Sequence, residues 1–182
     1  KTNKNDATIL TTEVEDPSGY GRVIRENGHI KIIEEKDATD QQKKIKEINS
    51  GIYIFKIKKL LNVLPNIKNN NAKKEFYLTD SIALLDCANS KIGTFKTAPQ
   101  EVIGINNRMD LNYAETILRF RKLQDLMLNG VTITDIDSTY IDSSVEIGQD
   151  TIILPNCIIK GKTKIGRNCK IGLFSYIEDS QI

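Results

Sequence analysis

Gly161-Lys162-Thr163 is the first place to look for chemistry, because Gly-Lys-Thr closes the phosphate-binding loop of many nucleotide-hydrolysing proteins. That loop also needs a glycine five residues before Gly161, and Asn156 stands there. It needs a strand-to-helix turn as well, whereas these residues lie inside a run of short repeats, so the tripeptide reads as a corner of that run. A Ser/His/Asp relay would have to use His29, the single histidine, which falls in an expected hairpin and reads as solvated. Cys87, Cys157 and Cys169 contain no Cys-x-x-Cys pair, which argues against zinc. Their odd number without framework spacing fits a reducing, cytoplasmic setting. What remains is a set of short polar segments: SGYGRV, IIEEKDA, EINSGIYIF, NNNAKKEFYLTD and EVIGINNR. Taken one by one, they offer a turn glycine at Gly21, strand-end charges at Glu34 and Glu35, and an asparagine at a strand start, Asn49. Tyr77 and Thr79 read as helix-start packing and cap, and Asn106 as a helix-start residue.

Composition narrows the classes. The 26 basic and 24 acidic residues leave a formal charge of +2; they are spread along the chain, with no basic stripe interleaved with aromatics, so nucleic acid is not an expected partner. No apolar run approaches the roughly eighteen residues of a membrane span, and KTNKNDATIL lacks the apolar core of a secretory signal. At 182 residues the chain can bury a real core.

Strands and a few helices must position the polar segments. ATILTTEV (7–14) alternates as a strand, and DPSGYG (16–21) is turn chemistry. GRVIRE and HIKIIEEK flank Asn27-Gly28, a strong hairpin signal. ATDQQKKIKE (38–47) reads as a polar connector, INSGIYIF (48–55) as a buried strand, and KIGTFKTA (91–98) as a further strand. LTDSIALLDCA (78–88) has helical spacing with Thr79 or Asp80 as cap. A long helix is expected over 107–129, capped by Asn107 and stopped by Gly130. Its apolar face comprises Leu111, Ala114, Leu118 and Met127, with Ile117 and Leu123 nearby.

From about residue 131 the period changes. Isoleucine recurs at 141, 147, 153, 159, 165, 171 and 177, and four residues after each comes a mostly small or β-branched residue: Val145, Thr151, Cys157, Thr163, Cys169, Ser175 and Gln181. A period of six is the signature of a parallel β-helix, three hexads to a triangular coil. Isoleucines point inward, and Cys157 and Cys169 are packing residues on different faces rather than a disulfide. Seven hexads make little more than two coils, so further coils or neighbouring subunits are expected to cover the end.

The polar segments, in this order and followed by a helix and a hexad array, resemble the bacterial bifunctional N-acetylglucosamine-1-phosphate uridyltransferase/glucosamine-1-phosphate acetyltransferase family over essentially the whole chain. The resemblance implies an α/β fold: the C-terminal part of a Rossmann-like uridyltransferase domain (1–106), a helical linker (107–130) and the first coils of a left-handed β-helix that trimerises (131–182). It implies acetyl transfer from acetyl-CoA to glucosamine-1-phosphate, then uridylyl transfer from UTP with magnesium, giving UDP-N-acetylglucosamine for peptidoglycan and lipopolysaccharide precursors. Carried over by motif, Gly21 is the glycine whose backbone meets the sugar, since a side chain would block that approach. Glu34 is the acid accepting sugar hydroxyls, with Glu35 one alignment step away. Asn49 is the sugar-contacting amide, which can both donate and accept. Tyr77 and Thr79 line the N-acetyl pocket, and Asn106 is a magnesium ligand.

The departures bear on activity. The family's glycine-rich UTP loop, with its arginine and lysine, has no counterpart here. The aspartate sharing magnesium with the asparagine would lie just before Lys1, and the acetyl-transfer histidine with its partners in later coils. The chain is therefore expected to be an internal fragment, inactive alone and carrying no catalytic residue. Two other readings stay open: a different sugar-1-phosphate nucleotidyltransferase with a β-helix tail, and a non-catalytic trimeric scaffold with a vestigial sugar pocket.

Overall fold

A computed structural model of the chain describes residues 4–182, in two compact units that divide between Val102 and Ile103.

The first unit begins with β1 (Ala7–Glu13), then the hairpin of β2 (Arg22–Glu26) and β3 (His29–Ile33). Its two-residue turn uses left-handed Asn27 (φ 52°) and Gly28 (φ 82°), the pair that matches strand twist. The connector then forms one helical turn, α1 (Asp40–Lys43). Thr39 and Gln42 close a reciprocal capping box there, enough local bonding to fold a segment too polar to pack. Next come β4 (Glu47–Phe55), α2 (Ile57–Val63), α3 (Asp80–Cys87) and β5 (Ile92–Lys96).

The strands form one mixed sheet in the order β3-β2-β4-β1-β5, with β1 antiparallel to β4 and parallel to β5. Ala7, Ile9, Val23, Ile32, Val63, Ile82 and Leu85 make the core between this sheet and the α2 and α3 helices, with Tyr53 and Phe55 packed against it. β4 is buried on both faces at Ile48 and Asn49, but further along Ile52 and Ile54 are more than half exposed, as is Phe95 on β5. The expectation of a buried strand over 48–55 thus holds for its start, while beyond Gly51 period-2 geometry sends Ile52 and Ile54 away from the helices.

The second unit holds α4 (Arg108–Leu128) and the hexads. Asn107 caps α4 by accepting from the Met109 and Asp110 N–H groups, while Asp110 accepts in return from Asn107. Only Leu123 and Leu126 of α4 are buried. Leu111 and Leu118, expected on its packed face, stay exposed, because the part of α4 that contacts the array lies nearer its C-terminal end.

Eight short strands follow: β6 (Thr132–Ile133), β7 (Tyr140–Ile141), β8 (Glu146–Ile147), β9 (Ile152–Ile153), β10 (Ile158–Lys160), β11 (Lys164–Ile165), β12 (Lys170–Ile171) and β13 (Tyr176–Glu178). They form three parallel sheets, β13-β10-β7, β11-β8 and β12-β9-β6. Ile159 pairs with Ile141 and Ile177, Ile165 with Ile147, and Ile171 with Ile153, each eighteen residues apart. Three hexads thus make one coil. The first coil is longer, since Ile133 pairs with Ile153, and the extra length sits in the turn before β7.

The inner isoleucines are joined by Val145, Thr151, Cys157 and Thr163, all at most 1% exposed. The hydroxyls do more than fill space. Thr151 Oγ1 donates to the Gly166 carbonyl and accepts from the Cys169 N–H, and Thr163 Oγ1 donates to the Lys160 carbonyl. The Gly166 carbonyl and the Cys169 N–H, peptide groups at corners between strands, are thus satisfied from inside. The cysteines are free thiols.

Candidate functional site

The candidate site grows from two neighbouring segments, the Pro17–Gly21 turn and the end of β3. Gly21 is buried, its carbonyl accepting from the Asn49 N–H at 2.8 Å. A Cβ there would stand 3.2 Å from the Ile32 Cγ2 and 3.3 Å from the Glu34 Oε2, so glycine lets the turn pack directly against a carboxylate. Glu34 is fixed from its other oxygen: Thr79 Oγ1 donates to Oε1 at 3.0 Å. Thr79 occupies the N-cap position of α3 with helical dihedrals and makes no capping bond; its hydroxyl is spent on Glu34, forty-five residues away in sequence.

The neighbouring carboxylate has a different task. Glu35 lies 2.6 Å from the Nη2 of Arg22, whose side chain is 1% exposed. The same guanidinium donates to the Tyr20 carbonyl and, at 3.2 Å, to the Lys43 carbonyl. Arg22 therefore ties the glycine turn, the α1 turn and the end of β3 together. It was not singled out from the sequence, although its place directly after Gly21 was the available signal.

Asn49 is buried on β4. Its Oδ1 accepts from the Gly51 N–H at 3.1 Å and from the Tyr53 hydroxyl at 2.9 Å. Burial pushes the Tyr53 hydroxyl up to about 12 against the opposing effect of the Asn49 bond, with the Glu34 charge adding to the rise. Tyr53 thus stays a neutral donor across the physiological range. It too went unnoticed in the sequence, where it reads as one more aromatic in a strand.

Glu34, Tyr77 and Asp80 line a cleft of about 250 Å³ with Ile32, Asp37 and Asn71. Burial raises the Asp80 carboxyl, and the charges of Asp37 and Glu34 raise it further. The Tyr77 hydroxyl is likewise raised, first by desolvation and then by Asp37 and its acidic neighbours. The loop closing this wall is held by Asp37, which accepts from the Ala72 N–H, and by Asn71, which accepts from the Lys73 and Glu75 N–H groups. The first unit thus brings together Gly21, Glu34, Asn49 and Thr79, with Tyr77 at the cleft wall beside Glu34.

Asn106 belongs to the second unit. It is exposed, and its N–H donates to Asp110 at 3.0 Å, at the start of α4. Among the described residues no group of three or more His, Cys, Asp or Glu side chains could hold a metal ion. Magnesium takes one or two carboxylates in addition to phosphate oxygens. Asn106 offers a single neutral amide oxygen, and the Asp110 carboxylate is already engaged by two backbone N–H groups. The described residues do not by themselves fit a magnesium site.

The profile of the nucleotidyl transferase family matches residues 1–92. The chain belongs to that family. The profile named bacterial transferase hexapeptide (six repeats) matches residues 144–179, the region of stacked parallel strands. Among curated relatives, a protein named "Bifunctional protein GlmU" from Caldanaerobacter subterraneus subsp. tengcongensis is 52% identical over 98% of this nucleotidyl transferase chain. Proteins of the same name from Fervidobacterium nodosum and Clostridioides difficile are 51% and 48% identical over 98% and 99% of it. The chain spans about two fifths of the length of these relatives, 39% of the first. The similarity to these relatives runs along nearly the whole chain, through both the polar segments and the hexads. No described helix is long and apolar enough to cross a membrane.

Proposed function

We propose that the first unit binds the N-acetylglucosamine-1-phosphate half of UDP-N-acetylglucosamine in a bifunctional enzyme that transfers uridylyl from UTP. In this reading the second unit begins a left-handed β-helix that trimerises and, further along the complete enzyme, acetylates glucosamine-1-phosphate from acetyl-CoA. The observation that carries the proposal is the convergence of Gly21, Glu34 and Thr79. A glycine too closely packed to carry a side chain lies against a carboxylate held by a threonine, beside a cleft walled by Tyr77. Glu34 Oε2 accepts a sugar hydroxyl, Gly21 lets the ring approach, Asn49 contacts the sugar, and Tyr77 and Thr79 bound the N-acetyl group. Arg22 holds Glu35 and the glycine turn in register, leaving Glu34 as the sugar-binding acid.

Magnesium and acetyl-CoA enter as co-reactants of the complete enzyme. Asn106 supplies at most one metal ligand, and acetyl transfer is assigned to no residue of this chain. The setting is cytoplasmic, where UTP and acetyl-CoA are available.

The test is an NMR titration of the chain with N-acetylglucosamine-1-phosphate and, separately, glucose-1-phosphate. Perturbations at Glu34, Asn49, Tyr77 and Thr79 by the first ligand, abolished in Glu34→Ala, are expected. Equal binding of glucose-1-phosphate would favour a nucleotidyltransferase for another sugar. Binding of neither would favour a scaffold whose sugar pocket is vestigial.

A further inference from the structure

We infer that Tyr53 is a positioning residue that fixes Asn49 as a hydrogen-bond donor to the ligand. A carboxamide can present either its oxygen or its NH₂ group, and in most sites both orientations compete. Here one end is already decided. The Gly51 backbone N–H can only donate, and it points at Oδ1 of Asn49 from 3.1 Å. Flipping the amide would set an NH₂ against that N–H.

Tyr53 adds a second donor to the same oxygen at 2.9 Å. Both ordinary acceptor positions of Oδ1 are then filled. Tyr53 comes from the same strand, four residues on and packed against the core, so its ring is anchored independently of the asparagine. The NH₂ group of Asn49 makes no hydrogen bond among the described residues, although the residue is only 9% exposed. A buried amide with its oxygen doubly bonded and its NH₂ unspent is built to donate.

Glu34 supplies the opposite polarity. One carboxylate oxygen is held by Thr79, and the other lies where a Cβ on Gly21 would touch it. Asn49 is joined to the same glycine through its backbone N–H. The first unit thus offers a fixed acceptor in Glu34 and, on the strand that bonds the Gly21 carbonyl, a fixed donor in Asn49. That pairing suits a ligand whose donor hydroxyl accompanies an acceptor oxygen, such as a sugar hydroxyl beside an amide carbonyl or a second hydroxyl oxygen.

The assignment of Asn49 to a sugar ligand rests on the proposed function; the orientation of its amide does not. Two variants and two readouts keep them separate. Asn49→Asp retains an oxygen for both Gly51 and Tyr53 but replaces the NH₂ by a second acceptor. Tyr53→Phe removes one donor and leaves the ring. In the unliganded, isotope-labelled chain, Asn49 should show one well-resolved pair of side-chain NH₂ signals, shifted and broadened in Tyr53→Phe as the amide keeps only the Gly51 bond. Unchanged signals in that variant would overturn the positioning role whether or not a sugar binds. In titrations with N-acetylglucosamine-1-phosphate, Tyr53→Phe should bind about three- to tenfold more weakly, the worth of one hydrogen bond. Asn49→Asp, still folded by its backbone amide spectrum, should lose binding. Wild-type affinity in Asn49→Asp would overturn the donor role. Failure of the wild-type chain to bind would count against the sugar-site reading, while the unliganded spectra would still decide the orientation.

Discussion

Arg22 and Glu35 form an ion pair across 2.6 Å in which the arginine side chain is 1% exposed and the glutamate 31%. The pair does not stand alone, because the guanidinium also serves the Tyr20 and Lys43 carbonyls. Removing the cation leaves a half-buried carboxylate and two carbonyls without their donor. Arg22→Met, which keeps much of the volume, should therefore cost about 3 kcal/mol of unfolding free energy, at the low end for breaking a buried pair because Glu35 retains some water. Urea denaturation measures it, and a loss under about 1 kcal/mol would show that the fork is dispensable.

Thr79→Val tests the support of Glu34. Valine matches the shape but cannot donate to Glu34, so Oε1 loses its partner. Stability should fall by about 1 kcal/mol. Affinity for N-acetylglucosamine-1-phosphate should fall as well, since Glu34 is then free to rotate. Calorimetric titration alongside denaturation separates the two effects.

How far the sequence carried this site depends on distance along the chain. The Asn27-Gly28 hairpin and the eighteen-residue stacking of isoleucines were legible because a turn and a repeat are local signals. The link from Thr79 to Glu34 spans forty-five residues, and nothing local distinguishes it from an ordinary helix cap. The different settings of Glu34 and Glu35 turn on Thr79 and Arg22, and the burial of Arg22 follows from tertiary packing. α2 was missed altogether: its seven residues, IKKLLNV, are too few to show a helical period before Pro65 interrupts them.

In the prism, Thr151→Val should cost about 2 kcal/mol. Valine fills the interior equally well, but the Gly166 carbonyl and the Cys169 N–H both lose the Thr151 hydroxyl, and a buried unpaired peptide group is expensive. A variant as stable as the parent in urea would mean that space-filling alone explains this position.

Phe174 should yield a gain. Left-handed turns of the array are mostly taken by residues that tolerate them, Asp150, Asn156, Asn168 and Asp179, yet Phe174 has φ 59° and is 76% exposed. A bulky side chain in that conformation costs roughly 1 kcal/mol. Phe174→Asn should raise stability by about that amount, read as a higher denaturation midpoint. No change would mean that the ring makes a compensating contact.

Acid should loosen the edge of the first unit through Asp6. The Lys91 N–H, and then the Lys56 ammonium, hold its carboxyl below the ordinary value of 3.8, with bond lengths of 2.9 and 3.0 Å. A carboxylate with a lowered folded pKa adds stability above its unfolded value, and that stability is lost as pH falls through the folded one. Denaturation midpoints between about pH 6 and pH 2 should fall less steeply in Asp6→Asn than in the parent. Parallel curves would remove Asp6 from the account.

The hexad prism also works as a counter. Each strand contributes only two or three residues, so a side chain's direction is decided by its place in a running tally of eighteen. A one-residue insertion would turn the isoleucines after it towards solvent until a corner absorbed the error. Six inserted residues would advance every later strand to the next sheet, and eighteen would restore all three. The turn before β7, where the first coil carries its surplus, shows where slack can be taken up. Length changes within residues 140–182 are therefore tolerable in whole coils, and a frame of this kind places any feature built later on the array by arithmetic.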